Sequence, residues 1–181
     1  MTVTSLIATA ASRHELPSEL IAAFVAVESG GNAYAWNPEP KYRYLWDVKR
    51  NRPFRVLTHA EIEDEVPPSD FPCIVGDRDQ EWWGQAASWG LMQVMGAVAR
   101  ECGYRQPYLP QLCDPADGIE FGCRHLAALK ARFFAAQGWD GVIAAYNAGS
   151  PRRDAQGAFI NQVYVDRIRE ALNGDLSGSG T

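Results

Sequence analysis

VAVESGGN, Val25 to Asn32, places a carboxylate at the end of an apolar run and follows it at once with two glycines. Upstream, Leu20, Ile21, Phe24, Val25 and Val27 recur at helical spacing after Pro17, and Gly30 and Gly31 supply the stop, so the segment reads as one amphipathic helix. Glu28 stands three residues after Val25 and seven after Ile21, on the stripe that faces inward. A carboxylate there loses part of its water, and the negative end of the helix dipole opposes its charge. Both effects raise its pKa and fit it to hold a proton near neutrality, as a general acid must. A glutamate at a helix end can also swing into solvent or meet an arginine, and the segment alone leaves both readings open.

Outward from this helix the punctuation continues. Ser88 reads as the cap of a second helix carrying Leu91, Met92, Val94, Met95 and Val98 and closed by Gly103. Asp114 followed by Pro115 starts a third, with Ile119, Cys123, Leu126, Leu129 and Phe133 facing inward and Gly138 beyond its end. Asp140 is the expected cap of a short helix through Tyr146 that Gly149 stops, and a last helix spans about 158–172. Between Asn32 and Ser88 prolines, charges and aromatics mix without a sustained period, which reads as an inserted lobe over about 33–87. Within it Thr58 and Glu61 have the capping-box spacing, and KYRYLWDV, Lys41 to Val48, suits a strand or hairpin arm.

The chain has 181 residues, 46% hydrophobic and 22% charged, which fits one globular domain over 1–173 and a flexible polar tail over 174–181. A formal net charge of −5, without a dense Lys/Arg run, argues against a grip on nucleic acid, and no apolar run is long enough for membrane insertion. Cys73, Cys102, Cys113 and Cys123 lack any CxxC pair and admit two disulfides or four free thiols; the usual burial of cysteine favours the thiols. His14 is followed by Glu15, but Ser18 stands where a zinc-protease helix needs its second histidine. His59 and His125 read as surface or helix residues, and no metal site is expected.

Four segments agree on more than a helix count. ESGGN at Glu28 to Asn32, SWGLMQVM at Ser88 to Met95, AYNAG at Ala145 to Gly149 and YVDRI at Tyr164 to Ile168 resemble, in that order, the motifs of soluble lytic transglycosylases related to goose-type lysozyme. The resemblance implies a lysozyme-like α+β fold, mainly α, with a long aromatic-rich insertion. It implies cleavage of the bond between N-acetylmuramic acid and N-acetylglucosamine in peptidoglycan glycan strands, without cofactor, by a monomer. Glu28 is the matching general acid and base, and Gln93, Met95, Tyr146, Asn147 and Tyr164 are the matching substrate-binding residues, Tyr164 near the acetamido group. Ser88 is the candidate for the serine that relatives carry in a short loop, since the insertion displaces that loop here. Asp166 reads as a solvent-facing helix residue, so no second carboxylate is implied.

Several alternatives stay open. The same acid serves 1,6-anhydro product formation and, as in a goose-type muramidase, hydrolysis by water. A catalytically silent wall-binding or assembly module is the reading from another class. The opening residues lack an export signal, so the expectation is synthesis in the cytoplasm and action on the wall as a phage lysin or virion-associated enzyme. Five of the six tryptophans, Trp36, Trp46, Trp82, Trp83 and Trp89, fall in or beside the insertion, where they suit either stacking on sugar rings or a small aromatic core. Arg152 and Arg153 read as a solvated basic loop.

Overall fold

In the computed structural model, which describes residues 1–63 and 66–177, helix α1 (Val3–His14) starts where the Thr2 hydroxyl accepts the backbone N–H of Ser5. Pro17 then leads into α2 (Ser18–Ser29). Strands β1 (Trp36–Pro38), β2 (Trp46–Asp47) and β3 (Arg52–Pro53) follow, then helices α3 (His59–Glu63) and α4 (Arg78–Gln85). Strands β4 (Ala87–Trp89) and β5 (Val94–Met95) lead into α5 (Gly96–Glu101), a 3-10 turn at Leu109–Cys113, α6 (Pro115–Ala148) and α7 (Gln162–Ser177). The class is the mainly helical α+β one expected. Among the described residues no helix is long and apolar enough to cross a membrane. The chain forms two compact units, one of Met1–Gly31 with the chain from Gly122 onward, the other of Asn32–Phe121.

In the first unit α2 packs on α1 and α7 and buries Leu20, Ile21, Phe24 and Val25, as its stripe predicts. The sequence reading passes over α1, whose inward residues Ile7, Ala10 and Ala11 are mostly small. Asp114 and Pro115 open α6 as expected, the carboxylate accepting the N–H groups of Ala116 and Asp117. The helix kinks at Gly138, where the short helix through Tyr146 takes over. Asp140, expected as a cap, spends its carboxylate on Arg169 of α7. The last helix begins at Gln162 instead of near 158, because Asp154 accepts the N–H groups of Gln156 and Ala158 and folds that stretch into a turn. It runs past Leu172 to Ser177, so the tail expected over 174–181 begins within it, and 178–181 lie outside the described residues.

The second unit holds a three-stranded antiparallel sheet in the order β1-β4-β5 and the β2-β3 hairpin. Ser88 lies in β4 opposite Met95, so the helix expected from Ser88 does not form. Its apolar spacing is satisfied by a turn: Gly90 at φ +70° and Gln93 at φ +47° reverse the chain, and helix returns only at Gly96. A side chain at Gly90 would meet the Leu112 carbonyl at 2.4 Å, so this backbone approach requires glycine. Of KYRYLWDV only Trp46–Asp47 is strand. The Thr58–Glu61 capping box is present, Thr58 N–H donating to Glu61 and Glu61 N–H to the Thr58 hydroxyl. The stretch 33–87 has a core of its own in Leu45, Leu57, Phe71 and Trp82, with Tyr42 and Phe54 packed against it.

One ion pair organises this unit. Arg100 of α5, wholly buried, donates through Nε and Nη2 to the two carboxylate oxygens of Glu81 on α4, each at 2.9 Å. Its remaining Nη1 donates to the carbonyls of Tyr104 and Gln106. Gln85, also buried, donates to Glu81 and to the Trp46 carbonyl while accepting the Trp46 N–H at 2.7 Å, which ties the hairpin to α4. Replacing Arg100 by Met strands the Glu81 charge, and we expect a loss of roughly 3–5 kcal/mol in urea unfolding. The Glu81→Leu/Arg100→Met double variant should recover much of it; a double variant as unstable as the single would show that the pair's geometry, not the stranded charge, sets the cost.

Candidate active site

Glu28 occupies the last turn of α2 because the helix ends there by a Schellman motif. Gly30, at φ +60°, donates its N–H to Ala26, and Gly31 reaches back to Val25. The carboxylate is half-buried and accepts the hydroxyl of Tyr164 from the first turn of α7 through Oε1. Burial pushes its pKa upward, and the Tyr164 hydrogen bond and the Arg167 charge offset part of that rise. Burial and the adjacent Glu28 charge in turn hold the Tyr164 phenol well above its ordinary value, so it stays a donor. The hydroxyl expected near the sugar's acetamido group rests on the Glu28 carboxylate in this structure.

The AYNAG segment lies on the same unit. Tyr146 is half-buried with its ring 4.5 Å from that of Phe24 on α2 and 5.1 Å from that of His125 on α6, so two helices fix its plane. His125, read from sequence as a surface or helix residue, is half-buried, and burial lowers its pKa to about 4, leaving a neutral ring. Asn147 is exposed and accepts the side-chain amide of Asn161, which also donates to the Ala144 carbonyl. Asn161 thus ties AYNAG to the start of α7, which carries Tyr164. Sequence reasoning missed Asn161 and His125; an asparagine just ahead of the α7 pattern was the available signal. Asp166 is half-buried and accepts Gln162. Arg153 lies over the Phe159 ring at 3.8 Å, and Arg152 is exposed.

Ser88, Gln93 and Met95 lie on the second unit. The Ser88 hydroxyl donates to Oε1 of Gln93, whose amide hydrogens go to the carbonyls of Ala35 and Gly90. Gln93 therefore holds the β4-β5 turn, with one acceptor lone pair left over. Met95 is half-buried, whereas Met92 is wholly buried core. The tryptophans divide: Trp46 and Trp82 are buried, while Trp36 and Trp83 are exposed. None of the four cysteines is in a disulfide.

A family model described as the transglycosylase SLT domain matches residues 5–159. No curated protein and no solved structure gave a match. Glu28, Ser88, Gln93, Met95, Tyr146 and Asn147 fall inside the matched span; Tyr164 lies beyond it and is linked to it by its hydrogen bond to Glu28.

The raised pKa of Glu28 has a consequence for stability. The folded state binds the proton more tightly than the unfolded chain, so below the unfolded pKa the group costs nothing, and stability falls as pH rises from there through the folded pKa. Glu28→Gln, which can still accept from Tyr164, should therefore raise Tm near pH 7–8 and leave it unchanged near pH 4. Equal Tm differences at both pH values would remove the upward shift. Tyr164→Phe removes a contact that favours the ionised form, so the Glu28 pKa, followed by NMR of its carboxyl carbon, should climb further.

Proposed function

The chain belongs to the transglycosylase SLT domain family, and on that premise we propose that it breaks the β-1,4 bond between N-acetylmuramic acid and N-acetylglucosamine with Glu28 as its single acid and base. A lytic transglycosylase-type activity on peptidoglycan comes with the family; the residue roles and the product are our reading. The observation that carries it is the half-buried Glu28 carboxyl, raised in pKa and held by Tyr164 through one oxygen only. That leaves Oε2 as the proton carrier.

Protonated Glu28 gives its proton to the departing glycosidic oxygen as the bond from that oxygen to the anomeric carbon breaks. The acetamido oxygen of the muramic acid shares the positive charge that develops on this carbon, so no second protein carboxylate is needed. The Glu28 carboxylate then takes the proton of the same sugar's C6 hydroxyl while its oxygen closes on the anomeric carbon. The product is a 1,6-anhydro end, Glu28 is protonated again, and no water is consumed. Arg167 supports the middle of this cycle, because its positive charge favours the carboxylate form. The Tyr146 ring and the exposed Asn147 amide offer an apolar face and hydrogen-bonding groups to the sugar.

General acid catalysis is worth roughly 10²- to 10⁴-fold, and we expect Glu28→Gln to lower the rate of peptidoglycan lysis by at least that amount with the fold intact. Mass spectrometry of the fragments should show anhydro-muramic ends, lighter by one water than hydrolysed ends. Reducing muramic ends would instead make water the acceptor, as in a muramidase. A Gln variant that lyses within roughly two- or threefold of the parent, far short of the loss expected for a general acid, would take Glu28 out of the reaction.

A further inference from the structure

Within the second unit, three indoles that the proposed reaction does not use meet at one open groove of about 380 Å³, with Asp77, Asp79 and Gln80 beside them. Trp36 and Trp83 are 57% and 40% exposed, although Trp46 and Trp82 of the same insertion are taken into the core. Two large apolar rings left in water on one concavity mark a binding surface more than incomplete packing. The rings are also held in place. Trp36 faces Trp89 across β1 and β4, and the Trp89 indole N–H donates to the Gly84 carbonyl at 2.9 Å.

The geometry selects the ligand. The Trp36 and Trp89 ring centroids are 6.0 Å apart at 32°. A group sandwiched between two rings needs about 3.5–4.0 Å on each side, so nothing fits between them. They form a platform, not a cage, which disfavours a caged ammonium group and suits the flat C–H face of a pyranose. The rim supplies the polar half. Asp77 uses Oδ1 to accept the Gln80 N–H at the start of α4, which leaves Oδ2, while the Asp79 and Gln80 side chains are exposed. Carboxylates and an amide can accept from and donate to sugar hydroxyls and an acetamido group. Two acidic side chains with no cation among the lining residues repel a sugar that bears its own carboxylate.

We propose that this groove is a second glycan-binding site, built without Glu28, Tyr146, Asn147 or Tyr164, that takes a neutral N-acetylhexosamine pyranose of the strand in preference to the acidic muramic unit. It rests on the peptidoglycan reading above. It gives the insertion a task, that of holding a strand by a sugar other than the one cleaved.

The test uses the full chain carrying Glu28→Gln, labelled with 5-fluorotryptophan and titrated with chitohexaose. The Trp36 and Trp83 fluorine resonances, assigned by single replacement, should shift on binding while those of Trp46 and Trp82 stay. Trp36→Ala and Trp83→Ala should weaken the shifted site roughly 5- to 100-fold, by analogy with aromatic platforms for bases, and Phe at either position should largely preserve it. Both rings are exposed, so circular dichroism and Tm should remain those of the parent. Saturating chitohexaose that leaves the two resonances in place, or shifts produced by the diamine cadaverine and not by the sugar, would overturn the proposal. Lysis by the unsubstituted chain is scored separately: lysis without shifts sinks the groove alone, and shifts without lysis sink the catalytic reading alone.

Discussion

Arg100 has no water to turn to, and Glu81 gives it both carboxylate oxygens in return. Bringing two ions out of solvent costs several kcal/mol apiece, about as much as their attraction gives back, so the pair is better understood as a constraint than as a store of stability. It permits one arrangement of α4 against α5. Through Gln85 the same network fixes the backbone of Trp46, so a short hairpin without neighbouring strands is nonetheless hydrogen-bonded on both sides of that residue. The register of α4 in turn decides which of two adjacent tryptophans enters the core, Trp82, and which faces out, Trp83.

The chain treats two of its withdrawn carboxylates in opposite ways. Glu81 is met by a guanidinium in bidentate contact, and its charge is compensated. Glu28 is offered one hydroxyl and only the more distant influence of an exposed arginine, so burial governs its proton. The difference lies in compensation: a bidentate guanidinium meets the Glu81 charge, whereas Glu28 keeps a pKa that its burial raises. The Schellman ending at Gly30 makes this possible, since it keeps Glu28 in the final helical turn.

What could be read from the sequence was whatever local chemistry decides. The Asp114–Pro115 start, the glycine stop at Gly30 and the Thr58–Glu61 box each act within a few residues, and each is found where the spacing puts it. The helix read from Ser88 failed because its apolar period is real but its cause is not helical: Leu91 and Met92 are buried from a turn and Val94 from β5, with the Leu112 carbonyl packed close against Gly90. No neighbour of Gly90 in sequence announces that carbonyl. The same holds for the site. Glu28 was legible from its stripe, and Tyr164 from a motif, but their hydrogen bond was not. Asn161 and His125 acquire their tasks only when α6 and α7 are in place. Nor could composition divide the tryptophans between core and surface.

That hydrogen bond also joins two ends of a long stretch of synthesis. Glu28 and Tyr164 are 136 residues apart, and at roughly 5–20 residues per second the ribosome needs about 7 to 27 s to deliver the second after the first. Throughout that interval α2 is present without α7, the helix against which it packs. The second compact unit lies wholly within the interval, so it can complete its folding while the first is still in two pieces. A nascent chain therefore carries Glu28 on a helix with an unpartnered face, and its carboxylate gains its hydroxyl partner only once α7 has cleared the exit tunnel.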